Sequence, residues 1–71
     1  MLNLNKDDIK FINKNISEPQ KIINAVSVRD ALVAFSNWIA VSDRCWDNTG
    51  DNYSDFGRRA QKIYDNILLN N

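Results

Sequence analysis

The sequence predicts an all-α fold: a small bundle of three to four helices over about 5–14, 18–25, 28–46 and 53–68, with the third helix central. Three observations predict it. Apolar residues recur at three- and four-residue intervals in these windows, and none shows the strict alternation of a half-buried strand. Side chains able to accept from free helix N–H groups, Asn5, Ser17 and Ser27, stand at the head of three of the windows. The chain has 71 residues, 44% of them hydrophobic, which suffices for one core and leaves no room for a second domain.

In the first window, Asn5 can cap the helix, with Asp8 three residues on. Asp7 and Asp8 then lie in the first turn, at the positive end of the helix dipole. Ile9, Ile12 and Ile16 make one apolar stripe, with Phe11 beside it. Asn13, Lys14 and Asn15 weaken that pattern and end the helix near Lys14. The chain restarts at Ser17-Glu18-Pro19-Gln20, where Ser17 and Gln20 have capping-box spacing. Pro19 is tolerated in a first turn because its missing N–H would be unpaired there anyway. Ile22, Ile23 and Val26 make this short helix apolar on one side, and the chain changes direction near Val26 and Ser27.

The third window carries the strongest pattern. Ser27 and Asp30 repeat the cap spacing, and Val28, Leu32, Phe35, Ile39, Ser42 and Trp46 lie along one seam. Ala31, Ala34, Trp38, Val41 and Cys45 widen it, leaving Arg29, Ser36, Asn37, Asp43 and Arg44 on the polar face. A helix apolar over so much of its circumference is enclosed by neighbours on two sides. Asp47 to Asn52 then breaks the helix, being rich in turn formers. The last window, from about Tyr53 to Leu68, has Phe56, Ala60, Ile63, Ile67 and Leu68 on one side and Tyr64 at its edge. Asp51 or Asn52 serves as its cap, and Asp55 suits its first turn.

Composition excludes several chemistries. There is no histidine, which removes the commonest general base and the usual zinc ligand. A single cysteine permits neither an internal disulfide nor a two-cysteine redox motif. No cofactor motif is present. The N-terminal MLNLNKDD lacks the apolar stretch of a signal peptide, and the most apolar run, Ala31 to Val41, is far shorter than the roughly 20 residues of a membrane span. These features predict a cytoplasmic protein. An abundance of Asn, Ile and Lys, residues with AT-rich codons, fits a low-GC genome and a short reading frame from a bacterium of that kind, or from a phage or plasmid.

The stretch CWDNTGDNYSDFGRR, Cys45 to Arg59, holds the candidate chemistry. A calcium loop needs a glycine at its sixth position and a bidentate carboxylate at its twelfth. Counting from Asp47 puts Asn52 and Arg58 there, and neither alternative frame, from Asp43 or Cys45, does better. What remains is a weak, irregular cation site of Asp47, Asp51 and Asp55, against the simpler role of a capped interhelical turn. Catalysis fares no better. The aspartates lie in a polar turn where Asp55 and Arg59 can pair at i, i+4. Cys45 stands beside Arg44, but near a helix C-terminus and with no base it reads as a small buried thiol. The chain is therefore expected not to be an enzyme.

Two binding classes remain. Nine basic and nine acidic residues cancel, so the global signature of a nucleic-acid protein is missing. Locally, residues 43–55 set four aspartates against Arg44 for a net of −3, and residues 56–71 set Arg58, Arg59 and Lys62 against Asp65 for a net of +2. Arg58, Arg59 and Lys62, flanked by Tyr53 and Tyr64, are the candidate nucleic-acid contacts. A helix-turn-helix with its recognition helix at Val28 onward is disfavoured, because that helix is too apolar to lie in a groove.

A protein partner is the leading expectation. Trp46, Tyr53, Arg58 and Arg59 combine the residue types enriched at interface hot spots, with Trp46 a partly buried anchor and the other three exposed. The plainer role for Trp46 is to close the end of the bundle on Phe56, covered by Tyr53. A homodimer is a further way to cover the apolar excess, with Ile63, Ile67 and Leu68 meeting their symmetry mates.

Overall fold

The structure, a computed structural model, describes residues 3–71. Among these residues four α-helices follow one another: α1 (Lys6–Asn15), α2 (Gln20–Ile23), α3 (Val28–Val41) and α4 (Asp55–Asn70), with a 3₁₀ turn at Asp43–Cys45 between the last two. The fold is all-α, and α3 is central, packing against both α2 and α4. The 3₁₀ turn packs in addition on α4.

Local chemistry explains the helix starts. Asn5 accepts from the Asp8 N–H at 2.8 Å and Ser27 from the Asp30 N–H at 3.1 Å, each satisfying one of the free donors of a first turn. Ser17 does not cap α2. That helix begins at Gln20 with Pro19 in the cap position and no side-chain acceptor, so it is a single turn rather than the longer element over 18–25. The Pro19 carbonyl carries its first bonds instead, accepting from the N–H groups of Ile22 and Ile23.

The third helix stops five residues earlier than its apolar seam suggests, at Val41 rather than Trp46. Ser42 is extended, and the Asp43–Cys45 turn swings Cys45 inward to full burial. Val41, placed on the seam by spacing, is 80% exposed. The fourth helix starts two residues later than expected because Tyr53 is paired across the turn with Trp46. Ser54, not Asp51 or Asn52, is its cap, accepting from the Gly57 N–H at 3.1 Å.

The core gathers Ile12, Ile16, Ile22, Ala31, Phe35, Ile39, Cys45, Ala60, Ile63 and Ile67. Burying each large apolar side chain among them contributes about 1.5–3 kcal/mol. Ile63 and Ile67 are fully buried within the chain, so they are not free to meet a second copy; Leu68, at 55% exposure, is.

Among the described residues one buried side chain is polar. Asp8, 2% exposed, receives the Arg59 guanidinium at 3.0 Å and the Asn66 amide at 3.4 Å, joining α1 to α4. Arg59 therefore reaches across the bundle rather than back to Asp55, which meets Arg58 at 3.6 Å instead. A charge taken out of water must find its counter-charge, and Asp8 has the stronger need of the two carboxylates.

Candidate partner-binding surface

Residues 45–55 form a tight, internally bonded turn. Oδ1 of Asp47 accepts from the Thr49 N–H, the Thr49 hydroxyl and the Gly50 N–H, and Gly50 supplies the left-handed φ of 77° that closes it. The Thr49 hydroxyl in particular holds the Asp47 carboxyl below its ordinary range. Asp47, Asp51 and Asp55 do not converge: the described residues hold no group of three or more His, Cys, Asp or Glu arranged to take a metal ion.

The turn sets two aromatic rings face to face. Trp46 and Tyr53 form an isolated antiparallel bridge, and their rings stack at 4.8 Å between centroids. Both are pinned at their polar ends. The Trp46 indole N–H donates to the Ile39 carbonyl at 3.0 Å, using an acceptor near the end of α3, and the Tyr53 hydroxyl bonds Gln61 of α4 at 3.1 Å. Both residues are half-buried, so part of each remains accessible. Trp46 does not close the bundle on Phe56. Because α3 ends at Val41, Trp46 lies opposite Tyr53, while Phe56 packs with Phe11 at 5.1 Å and Trp38 at 6.0 Å.

Beside the stack, α3 and α4 leave a groove of about 310 Å³, lined by Ser36, Ile39, Ala40, Tyr53, Gln61 and Tyr64. Its lining from α3 is small, Ser36 and Ala40 beside Ile39, and two tyrosines line it as well. Val33 shares the α3 face of Ser36 and Ala40 by its spacing, and Leu68 shares the α4 face of Gln61 and Tyr64; both are exposed.

The basic candidates separate. Arg58 is exposed and pairs loosely with Asp55; Lys62 is exposed; Arg59 is drawn to Asp8 and lies over the Phe11 ring at 5.6 Å. Arg58, Arg59 and Lys62 thus do not act as one free cluster.

A second concavity, which the sequence reading missed, lies between α1, the 3₁₀ turn and the start of α4. It measures about 660 Å³ and is lined by the cations Lys10, Lys14, Arg44 and Arg59 with Phe56 among them. The Arg44 guanidinium rests 4.0 Å above the Phe56 ring centroid and donates to Asn15 Oδ1 at 3.2 Å. The signal was present in the sequence: Lys6, Lys10 and Lys14 recur at i, i+4, i+8, which puts a basic stripe along one side of α1.

Cys45 is buried, and burial pushes its thiol above the ordinary value, against a hydrogen bond from Ser42 and the charge of Arg44. A thiol kept protonated is a poor nucleophile. Among the described residues no helix is long and apolar enough to cross a membrane. No protein-family model, curated protein or solved structure matches this chain.

Proposed function

We propose that this chain is a small non-enzymatic protein that acts by binding a protein partner, as an adaptor or an inhibitor, on the face that carries Tyr53. The observation behind this reading is the Trp46–Tyr53 stack, pinned at both ends and set on the rim of the α3–α4 groove. Large aromatic side chains held in place before binding give contact area at little further entropic cost, and they dominate the energetics of interfaces. Tyr53 is the central contact, Trp46 its anchor, and Arg58 a rim charge that steers and orients the partner. The lack of histidine and the burial of the one thiol speak for binding rather than catalysis.

Nucleic-acid binding through Arg58, Arg59 and Lys62 is the rival. It has less support, since Arg59 is committed to Asp8 and Arg58 has Asp55 beside it. Affinity capture from the native host separates the two. The protein partner should be retained by the parent chain and lost on combining Tyr53→Ala with Arg58→Ala, with the helical circular dichroism unchanged. Retention of every partner by that variant would exclude this face. A bound nucleic acid whose affinity falls by about 0.9 log units per decade of salt for each duplex phosphate neutralised would favour the rival.

A further inference from the structure

We infer that the cleft between α1, the 3₁₀ turn and the start of α4 is a recognition site for an acidic segment of a protein partner, whose carboxylates seat on Lys10, Lys14 and Arg44. The site shares no residue with the Tyr53 groove and stands on separate observations.

The first is charge left unpaired in a neutral chain. The three ion pairs among the described residues occupy Lys21, Arg58 and Arg59, and none takes Lys10, Lys14 or Arg44. Four cations line the cleft; against them stand Asp7 on its wall and the Asp8 carboxylate that Arg59 holds, a net of +2.

The second is preorganisation. Arg44 lies over Phe56, and its bond to Asn15 is itself steadied by the Asn15 amide donating to the Phe11 carbonyl at 3.0 Å. A guanidinium held over a ring and bonded through one nitrogen keeps its other N–H groups for a carboxylate, and has less rotamer freedom left to lose on binding. Lys10 and Lys14 are one helical turn apart, about 6 Å between their side-chain roots. Carboxylates four residues apart on a helix, or two apart on a strand, have a matching separation.

The third observation chooses between anions. Bases of a single strand need open aromatic faces, yet Arg44 covers Phe56 and Arg59 covers Phe11. Asp7 in the wall repels a continuous phosphate backbone, whereas carboxylates spaced one helical turn apart can meet the lysines and leave Asp7 to solvent.

The test uses the whole chain and three labelled probes followed by fluorescence anisotropy: a short peptide of Glu and Leu, the same peptide with Gln for Glu, and a single-stranded oligonucleotide of equal charge. The Glu peptide should bind and the Gln peptide should not. Lys10→Glu combined with Lys14→Glu should weaken the Glu peptide by about tenfold or more. Both lysines are exposed, so the fold should survive, and circular dichroism checks this. Arg44→Lys, which keeps the charge but loses the planar fork, should weaken binding severalfold, and Arg29→Ala, an exposed cation outside the cleft, should leave it unchanged. Equal binding of the Gln peptide, no binding of the Glu peptide, indifference to the double reversal, or tighter binding of the oligonucleotide would each overturn the inference.

Discussion

Gly57→Ala should cost this protein most of its stability, although alanine is the better helix former. Gly57 lies in the first turn of α4, against the backbone of the 3₁₀ turn. A β-carbon added there would fall 1.9 Å from the Cys45 carbonyl oxygen, 2.7 Å from its carbon and 3.0 Å from its Cα, all main-chain atoms. Ordinary contact begins near 3.4 Å, so α4 must retreat by 1.5 Å, the difference between 3.4 and 1.9. That retreat breaks the Ser54 N–H bond to the same carbonyl, now 3.0 Å, and the Ser54 hydroxyl bond to the Arg44 carbonyl. Overpacking costs about 1–3 kcal/mol, and each hydrogen bond about 1 kcal/mol net. Alanine returns about 1 kcal/mol in helix propensity. The balance is a loss of about 2–4 kcal/mol, set against roughly 3–5 kcal/mol for a core of this size. Thermal unfolding followed by circular dichroism should show a midpoint lower by about 8–32 °C. A variant as stable as the parent, or more stable, would refute the close approach of α4 to the turn.

Other expectations concern single groups. Asp8→Ala should destabilise by about 2 kcal/mol, less than the roughly 3–5 kcal/mol of a fully buried pair because the Arg59 side chain is 37% exposed; urea unfolding reads it, and Asp55→Ala, at a fully exposed carboxylate, should leave the midpoint where it is. The raised thiol pKa of Cys45 favours the protonated form in the folded chain, so its contribution is intact below pH 9.0, the ordinary value, and is lost as pH rises through the folded one. The unfolding midpoint of Cys45→Ala should accordingly decline less above pH 9.0 than that of the parent. Asp47 has the opposite sign: its stabilisation of the turn is present above 3.8 and lost only as pH falls through its lowered folded value. Carboxyl titration by NMR should place Asp47 below 3.8, and Thr49→Val should move it back up.

What the sequence made legible was whatever neighbouring residues decide. Asn5 and Ser27 were readable as caps because the donor each serves is three residues away. The burial of Phe35, Ile39, Ala60, Ile63 and Ile67 followed from helical spacing alone. Spacing cannot see where a helix stops, however: Cys45 and Trp46 continue the seam of α3 in register, yet they are apolar for other reasons, one filling the core and the other stacking on Tyr53. Pairing over 51 residues of chain, as between Asp8 and Arg59, is likewise invisible to a rule that looks four residues away, which is why Asp55 was the expected partner. The basic cleft divides the same way. The lysine stripe of α1 could be counted, but its meeting with Arg44 over Phe56 depends on how the bundle closes.

The claim that Tyr53 faces a protein partner is tested most directly by a photoreactive phenylalanine derivative substituted at Tyr53 in the native host, with the same group at Val26, 96% exposed, as the reference. The expected result is a discrete protein adduct from position 53 that is absent from position 26. Adducts to nucleic acid alone, or the same adducts from both positions, would contradict it.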